Sequence, residues 1–309
     1  MPKVTIIGSG QVGATASYYI AERGLADVVM TDIVDGMPQA KATDAMHCAP
    51  CRNYDVDIKG TNDLADMAGS DVVVVTAGLP RKPGMSREDL LNINAKIVAG
   101  VSEQIALHAP NAVVIVVTNP LDIMTYVAWK VTGFGIRNVM GMAGVLDSTR
   151  FRYFIAEELG VSPQDVTALV LGGHGDEMVP VPQYSVVNGI PVTELIPQKR
   201  LEELLERTRK GGGEIVGLLK TGSAFYGPAA SITEMVECIV RDNHRILPVA
   251  AYLRGEYGIK GYFVGVPAML GRNGLEKIYE IPIDEKGKEQ LRRSTDLIEE
   301  TISKLEIDI

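Results

Sequence analysis

The stretch VTIIGSGQVG, residues 4–13, decides the fold of this 309-residue chain. A short, mostly apolar run leads directly into Gly8, Gly10 and Gly13, which have the spacing GxGxxG. The first glycine permits a tight turn, the second lets the backbone approach a pyrophosphate, and the third lets the next helix pack close to the sheet. The spacing therefore predicts a strand, a turn and a helix whose free N–H groups face a diphosphate.

Asp32 supplies the second half of this signal. It ends the next apolar run, nineteen residues beyond Gly13. A carboxylate at this place accepts hydrogen bonds from both hydroxyls of a ribose and repels a 2′-phosphate. The two features together predict a dinucleotide site that takes NAD in preference to NADP.

Strands and helices alternate through the first half of the sequence. The predicted strands have continuously apolar interiors, which is typical of strands covered on both faces. They span residues 4–8, 27–32, 56–60, 71–78, 112–120 and 138–142. The helices predicted between them span residues 11–23, 36–48, 88–108 and 121–132. Such alternation predicts an α/β fold with a Rossmann-type doubly wound parallel sheet over residues 1–145.

The pattern changes after about residue 145, and an α+β substrate domain is expected over residues 146–309. Its helices are predicted at 147–160, 200–220 and 228–244, a hairpin at 179–192, and antiparallel strands with glycine turns at 248–274. A final helical stripe consists of Leu291, Ile298, Ile302 and Leu305. Core packing is the favoured interpretation of that stripe, and a partner contact is the alternative.

Composition and charge indicate a soluble globular protein. Hydrophobic residues make up 46% and charged residues 22% of the chain, and the formal net charge is -9. An acidic surface argues against nucleic acid as a partner, because phosphate binding needs a basic face. We see no signal peptide, and the apolar runs are too short to span a bilayer. A cytoplasmic protein is expected.

The cysteines offer a weak metal signal. Cys48, Cys51 and Cys238 are odd in number and too few for a disulfide framework. Cys48 and Cys51 have CxxC spacing, but no second pair completes four zinc ligands. We interpret these thiols as incidental and predict no metal site.

Two short motifs carry the candidate chemistry. GGHGD (172–176) follows an apolar strand and presents His174 between glycines, at the sheet edge where open α/β folds bind substrates. LDSTR (146–150) places Asp147 and Arg150 three residues apart, on one face of a helix. A carboxylate that holds an imidazole, beside a guanidinium that binds a carboxylate, predicts an acid–base site. For the Asp147–Arg150 pair alone, a simple intrahelical ion pair is the alternative.

The motifs GSGQVG (8–13), TNPLD (118–122), LDSTR and GGHGD occur in the order and at about the spacing of a known family. Over essentially its whole length, the chain resembles the lactate/malate dehydrogenase family. The loop LPRKPGMSR (79–87) resembles that of the malate-specific members of the lactate-dehydrogenase-like branch. The resemblance implies reversible oxidation of (S)-malate to oxaloacetate by hydride transfer to NAD, as in the tricarboxylic acid cycle.

The resemblance also implies a role for individual side chains. His174 would exchange the proton of the substrate hydroxyl, and Asp147 would orient its ring. Arg150 would bind the C1 carboxylate through a two-pronged hydrogen-bonded pair. Arg87 would polarise the carbonyl that is reduced, and Asn119 would hydrogen-bond the substrate oxygen and the cofactor. For Asn119 alone, a turn residue before proline is the alternative.

Arg81 is the residue expected to select the substrate. In the family, its loop is a mobile lid, and malate dehydrogenases have arginine where lactate dehydrogenases have glutamine. A water-excluded pair between a guanidinium and the second carboxylate implies about 3–5 kcal/mol of discrimination against a methyl group. A solvated basic loop is the alternative.

Two further features concern the substrate domain. Ala224 aligns with a threonine of lactate dehydrogenases and would leave room for an acetate arm, although a helix-packing alanine is the alternative. The glycines at 211–213 interrupt a charged helical run. A kink between two helices is the favoured interpretation, and a hinge for lid closure is the alternative.

The resemblance extends the cofactor site and implies an oligomer. The implied cofactor contacts are Gly8, Gly10, Gln11, Val12, Gly13, Asp32, Thr76, Ala77, Gly78, Asn94, Val117 and Asn119. A homotetramer is favoured over a dimer, with the helix near 36–48 as the expected subunit contact.

Three other functions remain open at this point. L-Lactate dehydrogenase differs mainly at Arg81. NAD-dependent glycosidases share the front domain, but they use a metal with a cysteine ligand and lack GGHGD and LDSTR. A non-catalytic NAD-binding module would leave His174, Asp147 and Arg150 unexplained. NADH binding without turnover of any 2-oxo acid would favour that last interpretation.

Overall fold

The computed structural model describes residues 1–80, 86–175 and 177–307. Six parallel strands form its amino-terminal half, in the spatial order β3-β2-β1-β4-β5-β6. They are β1 (Lys3–Ile7), β2 (Asp27–Thr31), β3 (Ile58–Thr61), β4 (Val72–Val75), β5 (Val113–Val116) and β6 (Val139–Gly141). The order reverses at β1 and β4, so this half is doubly wound, as predicted.

Four helices connect these strands: α1 (Gln11–Glu22), α2 (Met37–Arg52), α3 (Arg87–His108) and α4 (Leu121–Thr132). Because the strands are covered by helices, their side chains are buried without alternation, and all four valines of β4 are inaccessible to solvent. A capping box between Ser86 and Asp89 fixes the start of α3. The predicted bounds of α4 match the observed helix.

The second half adds helices and mostly antiparallel strands. The helices are α5 (Gly144–Leu159), α6 (Val192–Leu195), α7 (Gln198–Leu219), α8 (Tyr226–Val240) and α9 (Glu285–Ile302). The strands are β7 (Val166–Thr167), β8 (Val170–Gly172), β9 (Met178–Pro180), β10 (Val186–Val187), β11 (Ile190–Pro191), β12 (Arg245–Arg254), β13 (Lys260–Gly271) and β14 (Gly274–Ile278).

The large sheet continues from one half of the chain into the other. β12 pairs with β6 through Ala250 and Gly141, and the order then runs β12-β13-β8-β9, with β14 beside β13. The segment that contains His174 therefore begins at the end of β8, in the same sheet that carries the glycine-rich turn. A separate small sheet has the order β11-β10-β7.

Two local predictions about the second half are wrong. The hairpin predicted at 179–192 is not one unit, because β9 pairs with β8 while β10 pairs with β11. A helical turn over Pro182–Tyr184 separates the two pairings. The glycines at 211–213 do not kink the chain either, since α7 runs through them without a break.

The carboxyl-terminal stripe packs as the favoured interpretation predicts. Leu291 and Ile298 are buried in the main core, and Ile302 and Leu305 pack against it half-buried. Within the described residues, no helix is both long and apolar enough to cross a bilayer.

Candidate active site

The glycine-rich turn after β1 has the geometry of an anion cradle. Gly8 has φ +104°, and its N–H donates to the Thr31 carbonyl at 2.8 Å. A Cβ at Gly13 would lie 1.9 Å from the Gly8 carbonyl oxygen, whereas a Cβ at Gly10 would meet no described atom within 4 Å. Gly13 is thus required by close packing, and Gly10 faces open space in which a pyrophosphate fits.

The start of α1 leaves N–H groups for such an anion. Gly10 is the N-cap residue, and among the described residues no side chain caps this helix end. The first turn has no acidic residue, so the positive end of the helix dipole is not offset locally. Gln11 and Val12 lie in this first turn, where helix N–H groups bind phosphates.

Asp32 lies beside the same turn, at the end of β2. Its carboxylate accepts from the N–H groups of Ser9, at 2.7 Å, and Val34, at 3.0 Å. Lys41 donates to the Ser9 carbonyl at 2.6 Å. Each carboxylate oxygen keeps a further lone pair for a ribose hydroxyl, so these residues fit the adenosine side of NAD.

The loops after β4 and β5 lie beside the glycine-rich turn, and together these three segments form the rim of the candidate cofactor site. Thr76 donates to the Gly8 carbonyl at 2.8 Å, and Thr118 donates to the Ala77 carbonyl at 2.7 Å. A Cβ at Gly78 would lie 2.5 Å from the Thr118 methyl group. Three strand ends are therefore fastened together at one edge of the sheet, where open α/β folds bind ligands.

Asn94 braces this rim from within. Its side chain accepts from the Leu79 N–H at 2.8 Å and donates to the Asn119 carbonyl at 2.8 Å. Only 2% of Asn94 is exposed, so its amide joins the two loops instead of facing the rim. Asn119 is exposed and precedes Pro120 through a cis peptide bond, and Val117 lies half-buried two residues earlier.

His174, Asp147 and Arg150 form one connected network. Asp147 accepts from His174 Nδ1 through Oδ2 at 2.9 Å and from the Arg150 guanidinium through Oδ1 at 3.2 Å. The Asp147 side chain is 2% exposed, whereas those of His174 and Arg150 are 18% and 15% exposed. The carboxylate is thus buried behind an imidazole and a guanidinium that both reach solvent.

This environment determines how His174 holds a proton. Burial lowers the pKa of the imidazole, but the charge and hydrogen bond of Asp147 outweigh it, and the pKa is raised above its usual value. An ionised carboxylate can only accept, so Nδ1 carries the ring proton in the hydrogen bond and Nε2 is the nitrogen that can exchange protons. The network therefore combines an imidazole that can exchange a proton at Nε2 with a carboxylate that stabilises its protonated form.

The position of α5 follows from its first residues. A Cβ at Gly144 would lie 2.5 Å from the Val170 carbonyl oxygen, so only glycine lets the helix start this close to β8. Ser148 accepts from the Val170 N–H at 3.0 Å. The helix that carries Asp147 is thereby fixed to the strand that leads to His174.

Two residues to which the sequence analysis assigned no role hold the His174 loop. Asp122, the last residue of TNPLD, accepts from the His174 backbone N–H at 3.0 Å. Ser294, on α9, accepts from the Gly173 N–H at 2.7 Å. Burial raises the pKa of Asp122 to about 6, although the His174 N–H and charge act against this.

The triple glycine lies against Arg150. A Cβ at Gly211 would be 3.2 Å from Arg150 Cδ, and a Cβ at Gly212 would be 3.5 Å from a guanidinium nitrogen. Gly213 has no described atom within 4 Å of such a Cβ. The glycines lower helix propensity, but they let α7 pack closely on α5 beside the guanidinium, which explains a helix where propensity predicts a kink.

Other predicted residues lie outside this network. Arg87 is exposed at the first position of α3, and none of the hydrogen bonds joining His174, Asp147 and Arg150 involves it. Arg81 lies outside the described residues. Ala224 lies half-buried in the segment between α7 and α8, so it is not a helix-packing alanine.

The cysteines of CxxC lie on α2, near its end. Cys48 is half-buried, Cys51 is exposed, and both are free thiols, as is the buried Cys238. The one described group of His, Cys, Asp and Glu side chains with metal-ligand spacing is Asp242, His244 and Glu276, far along the chain from CxxC.

Family models and known proteins both match this chain. The model of the lactate/malate dehydrogenase NAD binding domain matches residues 2–141, and that of the alpha/beta C-terminal domain matches residues 144–307. A malate dehydrogenase of Methanosarcina mazei is 55% identical, over 99% of this chain and 100% of the relative. One of Roseiflexus castenholzii is 52% identical, over 98% of both chains.

Solved structures agree over the same length. The apo malate dehydrogenase of Picrophilus torridus has a TM-score of 0.95 at 48% identity, covering 98% of this chain and 96% of its own. A lactate dehydrogenase of Cryptosporidium parvum, complexed with lactic acid and NAD, has a TM-score of 0.95 at 40% identity, covering 100% and 99%. These matches confirm the predicted fold class and NAD as the cofactor. The chain belongs to the lactate/malate dehydrogenase family.

Proposed function

We propose that this enzyme interconverts (S)-malate and oxaloacetate with NAD, and that His174 is its acid–base group. The observation that carries the proposal is the His174–Asp147–Arg150 network, which combines a proton-exchanging imidazole with a carboxylate-binding guanidinium. It lies in the same sheet as a glycine-rich turn that fits a pyrophosphate. A 2-hydroxy acid is the substrate class that needs both groups.

The proposed mechanism divides the work between the cofactor and three side chains. When bound, NAD would supply the hydride acceptor for C2 of malate, and NADH would supply the hydride for the reverse reaction. His174 Nε2 takes the proton of the 2-hydroxyl group as the carbonyl forms, and gives it back during reduction. Asp147 holds the ring through Nδ1 and stabilises the imidazolium. Arg150 keeps guanidinium N–H groups beyond the one that binds Asp147, and these would hold the C1 carboxylate.

The dehydrogenase predictions are confirmed by the relatives. The family domains establish an NAD-dependent oxidoreductase, and full-length relatives at 50–55% identity are malate dehydrogenases. The lactate dehydrogenase neighbour is less similar, at 40% identity. Malate is therefore favoured over lactate, and a glycosidase or a non-catalytic module is not supported.

We propose Arg81 as the residue that selects oxaloacetate over pyruvate, and Arg87 as the residue that polarises the substrate carbonyl. The experiment compares kcat/KM for oxaloacetate and pyruvate with NADH, in wild type and in Arg81→Gln. The wild type should prefer oxaloacetate, and the variant should lose a factor on the order of 10²–10⁴ of that preference. Lys82→Gln, in the same loop, is the matched control and should keep it. A wild-type preference for pyruvate would refute the proposed substrate.

Further aspects of the proposal concern organisation and context. We divide the chain into an NAD-binding domain, residues 1–145, and a substrate domain, residues 146–309. We propose a cytoplasmic homotetramer that acts in the tricarboxylic acid cycle, with α2 at a subunit contact. Sedimentation of the purified enzyme tests the tetramer.

We also propose which residues contact NAD. They are Asp32 and the rim residues Thr76, Ala77 and Gly78.

A further inference from the structure

The loop that presents His174 has little rigidity of its own. Gly172 has φ +80° and Gly175 has φ +129°, and Gly173 separates the first of these from His174. Glycine backbones have access to more conformations than any other, so this loop needs outside contacts to hold one. Asp147 fixes the His174 ring, but a ring contact alone does not fix the backbone from which the ring projects.

Asp122 supplies one contact, from α4. Its Oδ2 accepts from the His174 N–H, and the residue is only 6% exposed. Its other oxygen, Oδ1, is buried and has no hydrogen-bond partner among the described residues. Burying a carboxylate with one oxygen unpaired is unfavourable, so the fold gains nothing in stability from a charge at this position. That cost points to a functional reason for the residue.

Ser294 supplies the other contact, from α9. Its hydroxyl accepts from the Gly173 N–H at 2.7 Å, and the residue is 1% exposed. A Cβ at Gly173 would lie 2.9 Å from Ser294 Oγ and 3.1 Å from Asp122 Oδ2. The two side chains thus converge on one peptide segment and require glycine there.

We propose that Asp122 and Ser294 are positioning residues that together fix the backbone of the His174 loop, and that the Asp122 charge also helps His174 to hold its proton. This inference rests on the proposed function, because it assigns His174 the acid–base role. Within the described residues neither side chain hydrogen-bonds to the imidazole ring, so each acts through the loop and, for Asp122, through its charge.

The charges around His174 predict the direction in which its pKa changes when the Asp122 charge is removed. Asp147 and Arg150 face it from α5, and Asp122 faces it from α4; the contact from α9, through Ser294, is neutral. Asp122 raises the pKa of His174, while Arg150 lowers it. Replacing Asp122 by asparagine keeps an acceptor for the His174 N–H but removes the charge. The apparent pKa in the kcat/KM profile should therefore move to lower pH in the variant.

The test uses the full-length enzyme with oxaloacetate and NADH. Asp122→Asn should show the shifted pH profile, with NADH affinity as in wild type. Ser294→Ala should lower kcat by about 2- to 10-fold, the value of one hydrogen bond, and leave the KM for NADH unchanged. Thr295→Ala is the matched control, because Thr295 is also buried on α9 but donates within its own helix, to the Leu291 carbonyl.

Three outcomes would overturn the inference. One is an equal loss of kcat in Ser294→Ala and Thr295→Ala, which would mean a general effect on α9. Another is an unchanged pH profile in Asp122→Asn. The third is an unchanged kcat in Ser294→Ala, which decides the matter even if the Asp122 variant does not fold. A wild type that turns over no 2-oxo acid would instead refute the proposed function, so the two failures are distinguishable.

Discussion

Replacing Asp147 by asparagine is the sharpest perturbation of the proposed mechanism. The carboxylate is buried and bonded to both His174, at 2.9 Å, and Arg150, at 3.2 Å. Asparagine has nearly the same shape and can still accept from neutral His174 through its carbonyl oxygen. The substitution therefore removes mainly the stabilisation of the imidazolium, and the pKa of His174 should fall because its largest favourable contribution is lost.

The magnitude follows from the lost interaction. A hydrogen bond to a charged group contributes about 1.5–3 kcal/mol, and each 1.36 kcal/mol changes a rate tenfold. The kcat/KM for oxaloacetate reduction should fall about 10- to 150-fold on the alkaline side of the profile, where wild type keeps the proton and the variant does not. At low pH both enzymes are protonated, and the loss should be smaller.

The assay is the pH profile of kcat/KM for oxaloacetate, with NADH affinity measured by fluorescence. Asp66→Asn is the control, since it removes a carboxylate of a partly exposed surface pair with Lys59, at 2.8 Å. Such pairs contribute little, so its profile should match wild type. A loss in Asp147→Asn of the same size at every pH, or a loss that follows NADH affinity, would refute the reasoning.

Three other substitutions test separate parts of the site. His174→Asn should reduce turnover by at least about 10²-fold while NADH binding persists, and wild-type rates would disprove the base assignment. Gly13→Ala should lower both the melting temperature and NADH affinity, because its Cβ would lie 1.9 Å from a carbonyl oxygen of the turn. Gly211→Ala should raise the KM for oxaloacetate by crowding Arg150, whereas Gly213→Ala, the control, should leave it unchanged and stabilise the helix by about 1 kcal/mol. Equal KM values in the two would exclude crowding.

Local sequence signals predicted the front half of the fold well. Continuously apolar runs and a glycine-rich turn depend on neighbours within a few residues, and these patterns located the six parallel strands and α4. The pairing of Asp147 with Arg150 could also be predicted from the sequence, because a spacing of three residues places both on one helix face. The chemistry of the side chains then predicted one acid–base site with His174, which lies 27 residues from Asp147 along the chain, and the family resemblance implied the same grouping.

Contacts between segments that are distant along the chain could not be predicted from local sequence patterns. Ser294 lies 121 residues from Gly173, and its contact depends on where α9 docks. The predicted kink at residues 211–213 was wrong for a related reason. Helix propensity alone predicts a kink, but packing of α7 against Arg150 favours a continuous helix. Asp122 lies in a recognised motif, but the motif alone does not show that its buried side chain accepts a hydrogen bond from the His174 backbone.

The buried charge of Asp122 should appear in the pH dependence of stability. Its pKa is raised from 3.8 to about 6 in the folded protein, so the folded state binds this proton more tightly than the unfolded state. The contribution of Asp122 to stability is thus largest below about pH 4 and declines as pH rises through about 6, by about 3 kcal/mol in all. Subtracting the free energy of unfolding of Asp122→Asn from that of wild type, measured by denaturation between pH 4 and 7, isolates this slope. A difference that stays constant with pH would mean that folding does not raise the pKa of Asp122. A difference that falls and then levels off above about pH 6 would instead mean that the folded enzyme keeps a destabilising charge beside His174 at neutral pH, as the positioning role proposed for Asp122 requires.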